Sequence, residues 1–108
     1  MGFYIKGTGM YVPPRVVTND ELSEFVETND EWIRQRVGVE QRHISTNEWT
    51  SEMACKAARN ALDNAGIQVS DLDLILSATV SAETVSPSVA CMVQHDLGAT
   101  CCAFEINA

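Results

Sequence analysis

The sequence predicts an α/β protein: a mostly parallel sheet with flanking helices. Two observations carry that assignment. Leu72-Asp-Leu-Ile-Leu-Ser-Ala-Thr79 holds an almost unbroken apolar run, as expected of a strand buried on both faces of a parallel sheet. Cys102–Ala108 reads as another strand, and between the two Val89, Val93 and Leu97 recur at helical spacing. Strand, helix and strand in that order give a right-handed parallel crossover.

Taken in order, residues 3–12 (FYIKGTGMYV) are apolar and β-prone until Pro13-Pro14 halts them. A first strand is expected there, with Gly7 and Gly9 marking a close approach of backbone. Thr18-Asn-Asp-Glu21 is a capping box, and Thr28-Asn-Asp-Glu31 repeats it. Short helices over about 19–27 and 29–37 follow, capped by Thr18 and Thr28, with Gly38 ending the second. In that second helix Ile33 and Val37 form the expected core stripe. The longest helix opens at Thr50, runs to about Asn64 and stops at Gly66. Its alanine-rich stripe (Ala54, Ala57, Ala58, Ala61, Ala65) implies close approach to an underlying layer, most simply a sheet, while Lys56, Arg59, Asn60 and Asp63 line the other side. Ser86-Pro87 is expected to open the next helix, with serine as cap and proline at the first helical position, and Gly98 ends it.

The totals bound the function. A chain of 108 residues suits one domain. No apolar run is long enough to span a bilayer, and the N-terminus lacks a signal-peptide layout, so a cytoplasmic protein is expected. A net charge of −8 argues against nucleic acid and against an anionic membrane as partner. Three of the seven cations nevertheless cluster, at Arg34, Arg36 and Arg42, with His43 beside them. Such a patch suits a small polyanion or an acidic partner protein; it equally suits a solvated helix face with i,i+4 ion pairs. Four cysteines include no C-x-x-C pair, and Cys91 with His95 supplies only two donors on one helix face, so no metal site is assigned.

GTGMYVP (7–13), TNDEL (18–22), TNDEWIRQRVGVEQRH (28–43), AGI (65–67), PSVACMVQHDLG (87–98) and the closing FEINA together resemble the N-terminal part of the β-ketoacyl-acyl-carrier-protein synthase III family. The resemblance covers essentially the whole chain. It implies a partial thiolase-like fold, with residues 1–108 as the N-terminal part of such a domain, truncated before the nucleophile helix. It also implies an acyltransferase, homodimeric at full length and without a tightly bound cofactor. Such an enzyme loads an acyl group from acyl-CoA onto a cysteine and condenses it with malonyl-acyl-carrier protein. By the family pattern the nucleophilic cysteine follows just after FEINA, and the histidine and asparagine lie further on. No catalytic residue is therefore assigned among the 108, and the chain alone is expected to be inactive.

The resemblance assigns Thr28, Trp32 and Arg36 to the mouth of the acyl-CoA tunnel, beside the adenine. Their spacing of four permits one helical face. The residues alone leave Trp32 open between ligand platform and boundary of the core. Arg34 is expected at the surface or against acyl carrier protein; Arg42 and His43 stay open between structure and ligand. Ser86 stands where the family carries a bulky residue closing the acyl pocket, which would admit a longer or branched primer; the competing role is helix cap. Two further readings are a thiolase-fold acyltransferase with a different acceptor, and a non-catalytic α/β module that holds a nucleotide on the Trp32–Arg36 face.

Overall fold

The computed structural model describes residues 2–108, which divide into two compact units. One comprises residues 12–47; the other joins the N-terminal segment up to Tyr11 with residues 48–108.

In the 12–47 unit, β1 (Arg15–Thr18) leads directly into α1 (Asn19–Ser23), and α2 (Asp30–Val37) is followed by β2 (Gln41–Ile44). The two strands are antiparallel, with Arg15 opposite Ile44 and Thr18 opposite Gln41. Val17 and Ile33 form the buried apolar centre. Thr18 caps α1 as expected, its hydroxyl accepting from the Glu21 N–H at 3.2 Å. That helix is shorter than the pattern suggested. The Glu24 and Phe25 amides bond three residues back, to Glu21 and Leu22, so the chain winds into a tight turn. The cap of α2 corrects the reading by one residue. Asn29, not Thr28, accepts from the Trp32 N–H, at 2.8 Å. Gly38 closes α2 in the left-handed region at φ 71°. Val37 is 68% exposed, so Ile33 alone carries the core contact of α2. No strand was expected at β2, because Gln41-Arg-His-Ile44 has no apolar period to announce one.

The larger unit contains α3 (Thr50–Ala65), a single 3₁₀ turn (Val69–Asp71), β3 (Leu74–Ala78), α4 (Val89–Leu97) and β4 (Cys102–Ile106). β3 and β4 are parallel, Leu74 opposite Cys102 through Ala78 opposite Ile106. The βαβ expectation holds. Cys55 of α3 packs with Val89 and Val93 of α4, and Ala54, Ala58 and Ile75 close around them.

Three expectations change. Residues 3–12 form no strand; their polar backbone is answered by α3 side chains, Thr8 N–H by Asn64 Oδ1 at 3.0 Å and Met10 C=O by Asn60 Nδ2 at 2.9 Å. The predicted close approach is real, but it is to α3. A Cβ built on Gly9 would stand 2.2 Å from the Ala61 nitrogen and 2.4 Å from the Ala57 oxygen. Part of the alanine stripe therefore meets a glycine-bearing segment and not a sheet. Next, β3 alternates instead of being buried throughout. Leu74 and Leu76, with Phe104 and Ile106 of β4, stay about half exposed, because among the described residues helices cover only one face of this two-stranded sheet. Finally, α4 begins at Val89, and Ser88 caps it by accepting from the Cys91 N–H at 3.3 Å. Ser86 precedes a cis Ser86–Pro87 bond upstream of the helix and is no cap.

Candidate functional site

The TNDE repeat is one sequence put to two uses. In the first copy Thr18 caps α1 and Asn19 turns inward, 1% exposed. In the second, Asn29 takes over capping and Asp30 turns back: Asn19 Nδ2 donates to Asp30 Oδ1 at 2.8 Å and to Val39 C=O at 2.8 Å. The two copies are thereby bonded to each other. Because capping passes to Asn29, the Thr28 hydroxyl is released, and its Oγ1 is buried with no hydrogen-bond partner among the described residues. A buried hydroxyl left unsatisfied costs on the order of 1–3 kcal/mol.

Thr28 lines a groove of about 510 Å³ whose other walls are Leu22, Val26, Glu27, Asn29, Trp32 and Ile33. Trp32 is 55% exposed. The ring is therefore no part of the core; its neighbour Ile33 takes the buried place. One turn on, the Arg36 guanidinium sits 5.6 Å from the indole centroid, within cation–π range. That contact leaves the guanidinium edge free for an anion and the exposed indole available to a flat aromatic group.

The remaining cations of the patch are occupied. Arg34 Nε donates to both Asp30 oxygens, at 2.9 and 2.7 Å, and its Nη1 to Glu40 at 2.7 Å. The Arg34 bond, then the Asn19 bond, hold the Asp30 carboxyl below its ordinary pKa. Arg42 donates to the carbonyls of Val17 and Thr18, at 3.3 and 3.2 Å, and to Asn19 Oδ1. His43 Nδ1 lies 2.6 Å from Pro13 O. Arg34, Arg42 and His43 thus brace the unit. Among the described residues Arg36 has no carboxylate partner, so an external anion meets one free guanidinium here.

Thr28, Trp32 and Arg36 are brought together, then, while Ser86 belongs to the other unit, exposed in loop 79–88. Sequence reasoning missed Asn19. The signal was present in the repeat, since a second Asn-Asp pair offered partners for the first. No group of three or more His, Cys, Asp or Glu side chains is gathered to hold a metal among the described residues, and no helix there is long and apolar enough to cross a membrane.

No protein-family model matches the chain. Curated relatives do. The β-ketoacyl-[acyl-carrier-protein] synthase III of Clostridium beijerinckii is 54% identical over 104 residues, covering 95% of this chain and 32% of the relative. That of Vesicomyosocius okutanii is 50% identical over 103 residues, covering 95% and 33%. Among solved structures, 3-oxoacyl-[acyl-carrier-protein] synthase III from Aquifex aeolicus superposes with a TM-score of 0.92 at 44% identity, over 99% of this chain and 35% of that one. The chain thus spans about a third of the length of the relatives it matches. Sequence and partial thiolase-like fold agree: the chain belongs to the β-ketoacyl-[acyl-carrier-protein] synthase III family and corresponds to its N-terminal portion.

Proposed function

We propose that this chain is the coenzyme-docking N-terminal portion of a 3-oxoacyl-[acyl-carrier-protein] synthase III. In the complete enzyme a cysteine thiolate outside residues 1–108 attacks the acyl-CoA carbonyl, forming an acyl-cysteine and expelling the CoA thiolate. Malonyl-acyl-carrier protein then loses carbon dioxide, and the resulting carbanion attacks the acyl-cysteine. A 3-ketoacyl thioester is released and the thiolate restored. The complete enzyme acts in the cytoplasm as a homodimer, with acyl-CoA and acyl carrier protein as partners and no tightly bound cofactor.

One observation carries this reading: an exposed indole with a guanidinium over it, beside a groove that Thr28 helps to line. An adenine on Trp32, a phosphate at Arg36 and a polar bond to Thr28 would use all three. The indole supplies stacking area at little entropic cost, and the rigid fork of Arg36 supplies charge.

The docking step is testable on the chain itself. In a Trp49→Phe background the fluorescence reports Trp32 alone. CoA and ADP are expected to quench it and to compete for one site, whereas pantetheine is not. Trp32→Ala should weaken CoA binding about thirtyfold, the loss of one base–aromatic stack. Arg36→Ala should weaken it about tenfold, and Thr28→Val about fivefold. Equal affinity for CoA and pantetheine, or CoA affinity unmoved by Trp32→Ala, would reject the platform.

The condensing step needs more of the protein. Residues 1–108 alone are expected to give no 3-ketoacyl product from acetyl-CoA and malonyl-acyl-carrier protein. A chimera in which they replace the aligned third of the Aquifex aeolicus synthase should give it, and a chimera that folds and binds CoA without forming product would count against the synthase reading.

A further inference from the structure

The 12–47 unit is an insertion: the chain leaves the larger unit after Tyr11 and returns to it at Glu48. Three α3 side chains four residues apart, and so on one helical line, hold the departing segment. Asn64 accepts from the Thr8 N–H at 3.0 Å, Asn60 donates to the Met10 C=O at 2.9 Å, and the Lys56 ammonium donates to the Tyr11 hydroxyl at 3.3 Å. Lys56 does more than end the row. Its ammonium also donates to Glu48 Oε1, and it stands 4.4 Å from the centroid of the Tyr11 ring. The Tyr11 hydroxyl donates to the same Glu48 oxygen, at 2.5 Å. The last residue before the insertion and the first after it are thus bonded to each other and to one α3 side chain.

These bonds are of a kind that holds. Both end on a carboxylate, and hydrogen bonds to an ionised partner are roughly twice as strong as neutral ones. The Glu48 side chain is only 14% exposed, so water screens the pair less than it would on an open surface. The Lys56 bond first and the Tyr11 bond second hold the Glu48 carboxyl below its ordinary value, and the Glu48 bond first holds the Lys56 ammonium above its own. Both groups stay charged across the neutral range. The ring beneath the ammonium adds cation–π attraction. Lys56 is therefore tied to the departing chain by ring and hydroxyl, and to the returning chain by charge.

We propose that Tyr11, Glu48 and Lys56 form a clasp at the base of the 12–47 insertion, through which its two crossings, Tyr11–Val12 and Asn47–Glu48, move as one. An ordinary surface ion pair steadies only the residues that form it. A clasp passes the effect of each member to the opposite crossing, far away in sequence. The insertion carries Trp32 and Arg36, so the clasp restrains the ends of the segment that bears the platform while lining no part of the groove.

Backbone amide order parameters of Val12 and Asn47, from nitrogen NMR relaxation of the 108-residue chain, read the two crossings. Wild type is expected at about 0.85 for both, the value of rigid backbone. Lys56→Met keeps the stem and the helix propensity but removes the charge, and it should bring both amides below about 0.6. Glu48→Gln should loosen Val12 as well as Asn47, and Tyr11→Phe, which keeps the ring, should loosen Asn47 as well as Val12, each to a smaller degree. Arg59→Met is the control: that guanidinium donates to the Asp96 C=O at 2.7 Å, so its loss should leave both crossings rigid. The two size-preserving variants keep the test decisive if Lys56→Met fails to fold. A wild type already mobile at either amide, crossings that stay rigid in the clasp variants, or loosening confined to the crossing next to the substituted residue overturns the proposal. The measurement needs no coenzyme, so a chain whose Trp32 ignores CoA loses the platform and leaves the clasp to stand or fall on these two amides.

Discussion

Replacing Gly9 by alanine is expected to destabilise the larger unit by about 4 kcal/mol or more, at the upper end of what one substitution does. The reason is backbone against backbone. The added Cβ would meet the Ala61 nitrogen at 2.2 Å, the Ala57 oxygen at 2.4 Å and the Ala61 Cα at 2.7 Å, well inside van der Waals contact. No rotamer change relieves an overlap with helix main chain, so the segment must lift from α3. Its ties would then fail together: the Thr8–Asn64 and Met10–Asn60 bonds, and Tyr11, whose ring lies 4.4 Å beneath the Lys56 ammonium and whose hydroxyl bonds Glu48. Urea unfolding of the chain measures the loss. Gly2→Ala is the control, since nothing stands within 4 Å of that position, and it should leave the midpoint unmoved. Adding Ala61→Gly to Gly9→Ala should not rescue stability, because the clash is with helix backbone and not with the alanine methyl. A Gly9→Ala midpoint equal to wild type would show that segment and helix do not pack as described.

That contact also shows what the sequence could convey. Gly7 and Gly9 were legible as places of close approach, and the alanine stripe of α3 as a surface made to be approached; neither named the other as partner. Helix ends were the most legible feature of all. Gly38, Gly66 and Gly98 each terminate a helix at positive φ, because a left-handed residue after the last turn is a local requirement that tertiary context rarely overrides. Helix starts were less so. Thr28 and Ser86 each stood near a second capping residue, and the backbone used Asn29 and Ser88 instead. Two chemically equal caps leave the choice to packing. The apolar run at β3 was read as buried twice over, whereas its outer face is half open; residue type reports how a surface would like to be covered, not what covers it. Of the candidate platform, the spacing of residues 28, 32 and 36 was legible. The i,i+4 pairing of Arg34 with Asp30 was among the readings the patch allowed; that Arg42 is consumed internally was not legible, because its partners Val17 and Thr18 come from a strand whose pairing no local pattern reveals.

Asn19→Ala is expected to cost the 12–47 unit about 3 kcal/mol, the largest loss from removing a single polar side chain here. Asn19 gives both amide hydrogens to Asp30 and Val39 and takes one from Arg42, so its removal takes a partner from the Val39 carbonyl, the Asp30 carboxylate and the Arg42 guanidinium at once. The loss reaches the platform. Asp30 is the first residue of α2 and also anchors Arg34, so loosening it frees the helix that carries Trp32 and Arg36, and CoA affinity should fall although Asn19 lines no part of the groove. Asn19→Asp is the sharper variant: it keeps the shape and the acceptor for Arg42, yet turns two donors into a charge facing Asp30 and Val39 C=O. It should be at least as damaging at neutral pH. The pH dependence identifies the mechanism. The Asp30 carboxyl is held below its ordinary value of 3.8 by its Arg34 bond first and its Asn19 bond second. A depressed acid contributes stability that is present above its unfolded value and is lost as pH falls through its folded one. Asn19→Ala removes part of that depression, so the gap to wild type should be full at neutral pH and narrow as pH drops below 3.8. Acid should likewise relieve the repulsion in Asn19→Asp. Unfolding midpoints of the three proteins between neutral pH and strong acid measure this directly, and a gap independent of pH would show that Asn19 acts by filling space and not by donating to Asp30.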